Sequence, residues 1–183
     1  MTWQQMIEAH YEREWGLGGI PCLFSAGPTD ELPQDFAVLK FPPRTARNMW
    51  TYATRCMAQP SDAAGMELHI FSPYDTIEIV ELLYAVAHFH RTGAELALGQ
   101  TVNFGRPWVS GSSCSFGLIS LPYLDGPDLE NLTTSGNTVK FYWLLPVTSS
   151  EVVFKKRQGL AALERKFEEC SINYLDPNRR SAV

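Results

Sequence analysis

Between Val139 and Glu169 the chain places its most hydrophobic strand candidate directly before its longest helix candidate, and any fold must accommodate the two together. From Val139 to Leu145 the only charge is Lys140, so both alternating sets, Val139/Phe141/Trp143/Leu145 and Tyr142/Leu144, are apolar. Such a strand belongs in the middle of a sheet covered on both faces. Pro146 has no amide hydrogen and is expected to end its ladder. Thr148-Ser149-Ser150-Glu151 then fits a capping box, in which the threonine hydroxyl accepts from the third amide and the glutamate accepts from the cap amide. In the helix that follows, Val153, Leu160, Leu163 and Phe167 fall on one side, and Glu151 and Lys155 are placed for an i,i+4 ion pair. Gly159 weakens or bends its middle, at about 1 kcal/mol relative to alanine.

The rest of the chain supplies partners for this pair. Thr2 with Gln5 forms another capping box, Trp3, Ile7, Tyr11 and Trp15 make one aromatic stripe, and Gly16 stops the helix. The stripe reads as core packing rather than a ligand cradle. Gly16 to Asp35, rich in Gly and Pro, reads as irregular connection. Strands are expected over Phe36–Phe41, stopped by Pro42-Pro43, and over Met49–Met57, with Trp50, Tyr52 and Thr54 on one face. After a turn at Gln59–Gly65, Met66, Leu68 and Ile70 face one way and Glu67, His69 and Phe71 the other, the pattern of a half-buried strand. Ser72-Pro73 suits a helix start, with Ile79, Leu82, Leu83, Val86 and Phe89 buried and Gly93 as the stop. Val102–Phe104 and Cys114–Leu121 are strand candidates around a polar loop. Leu129–Thr133 is placed to pair with the central strand through Thr134-Ser135-Gly136-Asn137. One domain over residues 1–183 follows, of α+β class, with one mixed and largely antiparallel sheet under packed helices.

Few groups carry chemistry. Gly111-Ser112-Ser113-Cys114-Ser115 lacks the second glycine of a nucleophile elbow and precedes a strand. An enzyme would have to pair Cys114 with His69 or His88, and a thiol in a strand is ordinarily structural. Gly16-Leu17-Gly18-Gly19 follows a helix, not the strand of a phosphate-cradling loop. His88 and His90 point about 200° apart around a helix, so they do not share a metal and read as rim histidines. Asp125, Asp128 and Glu130 lack calcium-loop spacing and read as a solvated acidic turn. No cofactor or metal is expected.

Cys22, Cys56, Cys114 and Cys170 stand far apart, as reduced and mostly buried thiols. The net charge of -5 excludes nonspecific nucleic-acid binding. Lys155, Lys156 and Arg157 read as a solvated helix face. An N-terminus without a basic leader, and no span of membrane length, make the expected setting cytoplasmic, away from membranes. At 183 residues and 45% hydrophobic content, roughly 70% of the unfolded surface is expected to leave water.

The strand and helix of residues 139–169, together with GMELHIF (Gly65 to Phe71), IEIVELLYAVAHFHRTG (Ile77 to Gly93), LGQTVNFGRPW (Leu98 to Trp108) and INYLDPNRRS (Ile172 to Ser181), resemble in content and order the Suppressor of fused family. The likeness is clearest over residues 49–181, and residues 1–48 match poorly. It implies a noncatalytic α+β protein that binds another protein: transcription-factor segments in animals, and a toxin in the role proposed for short bacterial members. In animal relatives the stretch matching Leu98–Trp108 helps hold an extended partner segment, with an acid at the position of Gln100. The glutamine here removes that acid but leaves main-chain pairing at a sheet edge intact.

Polar Gln100, Thr101 and Asn103 alternate here with apolar Val102 and Phe104. Gln100, Thr101, Asn103 and an exposed Trp108 are therefore the expected partner-binding residues, with Trp108 as anchor. A protein-binding module, in the form of an immunity protein neutralising a toxin, is the first functional expectation; acidic charge suits a basic toxin. An enzyme using a Cys/His pair and a scaffold subunit of an assembly are the alternatives.

Overall fold

One mixed sheet of eight strands organises the chain: β1 (Ile20–Cys22), β2 (Ala37–Phe41), β3 (Trp50–Arg55), β4 (Gly65–Ser72), β5 (Thr101–Asn103), β6 (Phe116–Ser120), β7 (Asn131–Thr133) and β8 (Thr138–Val147). The structure is a computed structural model, and it describes residues 1–27, 29–134 and 136–183. Strand order is β1-β2-β3-β4-β8-β6-β5, with β7 also on β8. Among the described residues only β4 and β8 run parallel, from Gly65↔Val139 to His69↔Trp143, and every other pair is antiparallel, in line with the mixed, largely antiparallel sheet expected. β7 pairs with β8 as expected, and Ser135 of their connection lies outside the described residues.

Both faces of β8 are covered. On one, Leu144 joins Leu68, Ile70 and Ile119 beneath α2 (Ile77–Thr92), which contributes Ile79, Leu82, Leu83 and Val86. On the other, Phe141 packs against Ile7, Tyr11 and Trp15 of α1 (Trp3–Trp15). Farther along that face Phe71, Trp143 and Leu145 lie with Val152 of α4 (Ser149–Gln158) and with Leu163 and Phe167 of α5 (Leu160–Cys170). A four-residue helix, α3 (Pro127–Glu130), leads into β7. Both capping boxes are present, at Thr2/Gln5 and at Thr148/Glu151, and Gly16 caps α1.

Several expectations need correction. Pro146 does not end β8: it stands opposite Gly117, beyond the register with β4 that stops at Trp143, and its carbonyl accepts from Arg179 Nη2 at 2.9 Å. A proline is tolerated where its nitrogen owes no ladder bond. Gly159 does more than bend a helix. With φ at +89° it ends α4 and begins α5, a conformation that favours glycine. The new phase buries Val152 and leaves Val153 46% exposed. Glu151 does not pair with Lys155. It meets Arg179, while Lys155 Nζ donates to the Gly99 carbonyl at 2.6 Å.

Ser72 closes β4, and α2 starts at Ile77 behind Thr76, whose hydroxyl accepts from the Glu78 amide. Phe89 on that helix is 41% exposed rather than buried. The segment 16–35 contains β1 and a 3-10 turn at Thr29–Glu31, while Pro28 lies outside the described residues. β4 is buried along its whole length, not on one face, because α1 and α5 cover the side that carries Glu67, His69 and Phe71.

Candidate functional site

The run of residues 100–103 forms one margin of the sheet, since among the described residues β5 pairs with β6 alone. The Ile119 amide donates to the Gln100 carbonyl at 2.9 Å, and the Phe104 amide donates to the Ser115 carbonyl at 3.0 Å. Antiparallel alternation therefore turns the main-chain groups of Gln100, Val102 and Phe104 toward β6 and those of Thr101 and Asn103 toward the open margin. Gln100 and Asn103 are exposed and Thr101 half-buried. Both ends of β5 are pinned. The Gly99 amide donates to the Ile119 carbonyl at 2.8 Å, the Gln100 side chain accepts from the Ala97 amide at 3.0 Å, and Asn103 Oδ1 accepts from the Gly105 amide at 2.8 Å. The result is a short, rigid edge with unpaired backbone groups, the chemistry of strand addition.

Trp108 is not on that surface. It is 1% exposed in the core beneath α2, where its indole N–H donates to Ser112 Oγ at 2.9 Å and its amide donates to the Cys114 carbonyl. The loop folds back because burial of a large indole is favourable once its single donor is satisfied. Nothing in the sequence of this polar loop marks which way its aromatic turns. Gln100, Thr101 and Asn103 are thus brought together at the edge, and the expected anchor is withdrawn from it.

The thiol and histidines needed for an enzyme are not assembled. Cys114 lies in the core beneath α2, and burial pushes its thiol up. His69 points to the opposite face, beside Trp15 and Phe71, and His88 Nε2 lies 2.5 Å from Glu31. His90 instead accepts from the Leu96 amide, so the two helix histidines turn to separate partners. All four cysteines are free: Cys56 and Cys114 are buried, Cys22 is partly so, and Cys170 is exposed, against the expectation of mostly buried thiols. Among the described residues no group of three or more His, Cys, Asp or Glu side chains could hold a metal ion, and no helix is long and apolar enough to cross a membrane. Lys156 and Arg157 are exposed as expected, whereas Lys155 is half-buried over Gly99.

Two buried acidic groups escaped the sequence reading. Asp125 belongs to no solvated turn: its side chain is 2% exposed, accepts from Trp15 Nε1 at 2.9 Å and from Arg47 Nη1, and lies 3.3 Å from His69 Nε2. Burial pushes its carboxyl up, but His69 and Arg47 outweigh that and hold it at about 2. Glu67, fully buried, accepts from Thr54 Oγ1 at 2.5 Å and from the Met57 and Ala58 amides at 3.3 and 3.0 Å. Burial pushes Glu67 to about 7 against the pull of those donors. Both carboxylates hold connections together rather than face an opening.

The family model for Suppressor of fused protein matches residues 33–180 of the chain. Among solved structures, a proposed Suppressor of fused homologue from Neisseria gonorrhoeae is 36% identical and superposes with a TM-score of 0.86, covering 99% of this chain and 97% of its own. A chain of the Sufu–Fu complex superposes with a TM-score of 0.73 at 15% identity, covering 98% of this chain and 92% of that one. Drosophila Suppressor of Fused gives 0.71 at 14% identity, covering 98% of this chain and 51% of the fly protein. At such identities the last two show a shared fold alone. No curated protein matches the chain.

Proposed function

The chain belongs to the Suppressor of fused family, and on that premise we propose that it is a noncatalytic protein-binding module that captures an extended segment of its partner along the free edge of β5. The observation that carries this reading is the pair of unpaired main-chain positions, Thr101 and Asn103, on a strand fixed at both ends. Gln100, Thr101 and Asn103 border the site; backbone pairing supplies affinity and the side chains supply selection. The Sufu–Fu complex is an example of a protein of this fold in a complex. The buried, unactivated Cys114 supports a noncatalytic role.

The partner in this reading is a toxin, and the chain acts as its immunity protein. Two features support that finer assignment: the likeness in length to a bacterial relative, and a net charge of -5 suited to a basic partner. Co-expression with the product of the neighbouring reading frame is the test. Wild type should relieve that product's toxicity and Asn103→Pro, folded by circular dichroism, should not, since proline removes the outward amide. Relief undiminished by Asn103→Pro, or a harmless neighbouring product, would count against the edge and the toxin assignment respectively.

A further inference from the structure

A groove of about 490 Å³ opens on the sheet face away from α2. Trp143 and Leu145 of β8 line it from the sheet, Phe167 from α5, and Leu124 and Tyr174 from the adjoining loop and tail. It contains none of the β5 edge residues, so the edge proposed as a docking site does not explain it. Its size falls in the range of small-ligand and side-chain pockets, roughly 300–1,000 Å³. Tyr123 and Leu124 at its margin are 59% and 47% exposed, an unusual placement for neighbouring bulky side chains.

Two further observations say what fits. First, Glu164 and Glu168 are the only charged residues lining the groove, and among the described residues neither forms an ion pair. Second, Trp143 is 6% exposed and its indole N–H has no partner, although that group can only donate. Among the described residues the other buried side-chain atoms without a hydrogen bond are Arg47 Nη2, His69 Nδ1, and the His69 Nε2 and Asp125 Oδ2 that face each other at 3.3 Å. None of these three residues lines the groove, though each neighbours it. His69 stands opposite Trp143 in register, Asp125 follows Leu124, and Arg47 lies 4.9 Å over Phe71, whose ring is 5.3 Å from that of Trp143. A buried donor without an acceptor is costly, and that of Trp143 belongs to a residue in the wall of an opening.

We infer that this groove is a second protein-docking site, which takes a bulky apolar side chain of a partner segment flanked by lysine or arginine. The apolar lining receives the side chain, the segment's backbone carbonyl is an acceptor for Trp143, and the two glutamates receive the basic flank. A fatty acid or nucleotide would bring negative charge against Glu164 and Glu168 and has no such match.

A library of random short peptides displayed on phage and panned against the full chain tests this. Enriched peptides should pair a large apolar residue with lysine or arginine. Their affinity should fall about tenfold or more in Leu124→Lys and in Glu168→Lys, both surface changes that leave the melting temperature near wild type. Asn103→Pro should leave it unchanged. Absence of any enriched peptide, enrichment of acidic or uncharged sequences, or binding indifferent to both groove variants would overturn the inference.

Discussion

Removing the charge of Arg179 while keeping its bulk, in Arg179→Met, strands a carboxylate that has no access to water. Glu151 is 0% exposed and accepts from Arg179 Nη1 at 2.7 Å and Nη2 at 2.8 Å, from the Thr148 amide at 2.7 Å and from the Ala182 amide at 2.9 Å. One side chain thus serves as capping-box acceptor for α4 and as the point where the C-terminal tail is tied down. Breaking a buried pair by removing one partner costs about 3–5 kcal/mol, because the other charge stays uncompensated. That is a large part of the roughly 5–15 kcal/mol that holds a domain folded. The two remaining amides place the expected loss near the lower end, about 3 kcal/mol, read as a shift in urea midpoint at constant slope.

A double variant, Glu151→Gln with Arg179→Met, should lose less than Arg179→Met alone, since no charge is then buried. Acid should narrow the difference between Arg179→Met and wild type. Burial pushes the Glu151 carboxyl up, but Arg179 and the two amides outweigh it and hold it below the usual range. The stability it contributes is therefore present at neutral pH and disappears as pH falls through its folded value. A loss under about 1 kcal/mol, or a double variant that costs the sum of the singles, would refute the buried clamp.

Trp108→Ala should lower stability by about 3–5 kcal/mol in chemical denaturation, because the indole is a buried core element; an unchanged midpoint would return it to the surface. Wild type minus Glu67→Gln should lose about 3 kcal/mol between pH 4.5 and pH above 7. A carboxyl raised on folding to about 7 stabilises while protonated and stops doing so as pH rises through that value; a flat difference would show the group ionised throughout. A thiol reagent should label Cys170 quickly and Cys114 and Cys56 slowly, since the latter two are buried and burial pushes Cys56 to about 12; fast stoichiometric labelling of Cys114 with loss of function would revive the enzyme alternative.

What could be read from the chain alone was local. Thr2/Gln5, Thr148/Glu151 and Gly16 announce their helix ends within a few residues, and the apolar content of residues 139–145 places β8 in the middle of a sheet. A strand near Val102–Phe104 was legible from the residue pattern, and its place at a sheet edge only from the family resemblance. The failures at the buried acids are nonlocal. Asp125 looks solvated until Arg47 and Trp15, far away in sequence, close over it. Glu67 looks like the polar face of a half-buried strand until the Thr54–Ala58 connection supplies its donors. Trp108 illustrates the same limit at shorter range: a Gly-containing polar loop gives no sign of whether its aromatic turns outward or finds Ser112 within the core.

Amide hydrogen exchange, followed residue by residue in the free chain and in complex with its partner, tests edge capture most directly. The outward amides of Thr101 and Asn103 should exchange quickly when free and be slowed about a hundredfold or more in the complex, because strand addition gives them carbonyl acceptors. A tight complex in which those two amides exchange as in the free chain, while protection appears on α4 around Lys156, would contradict it.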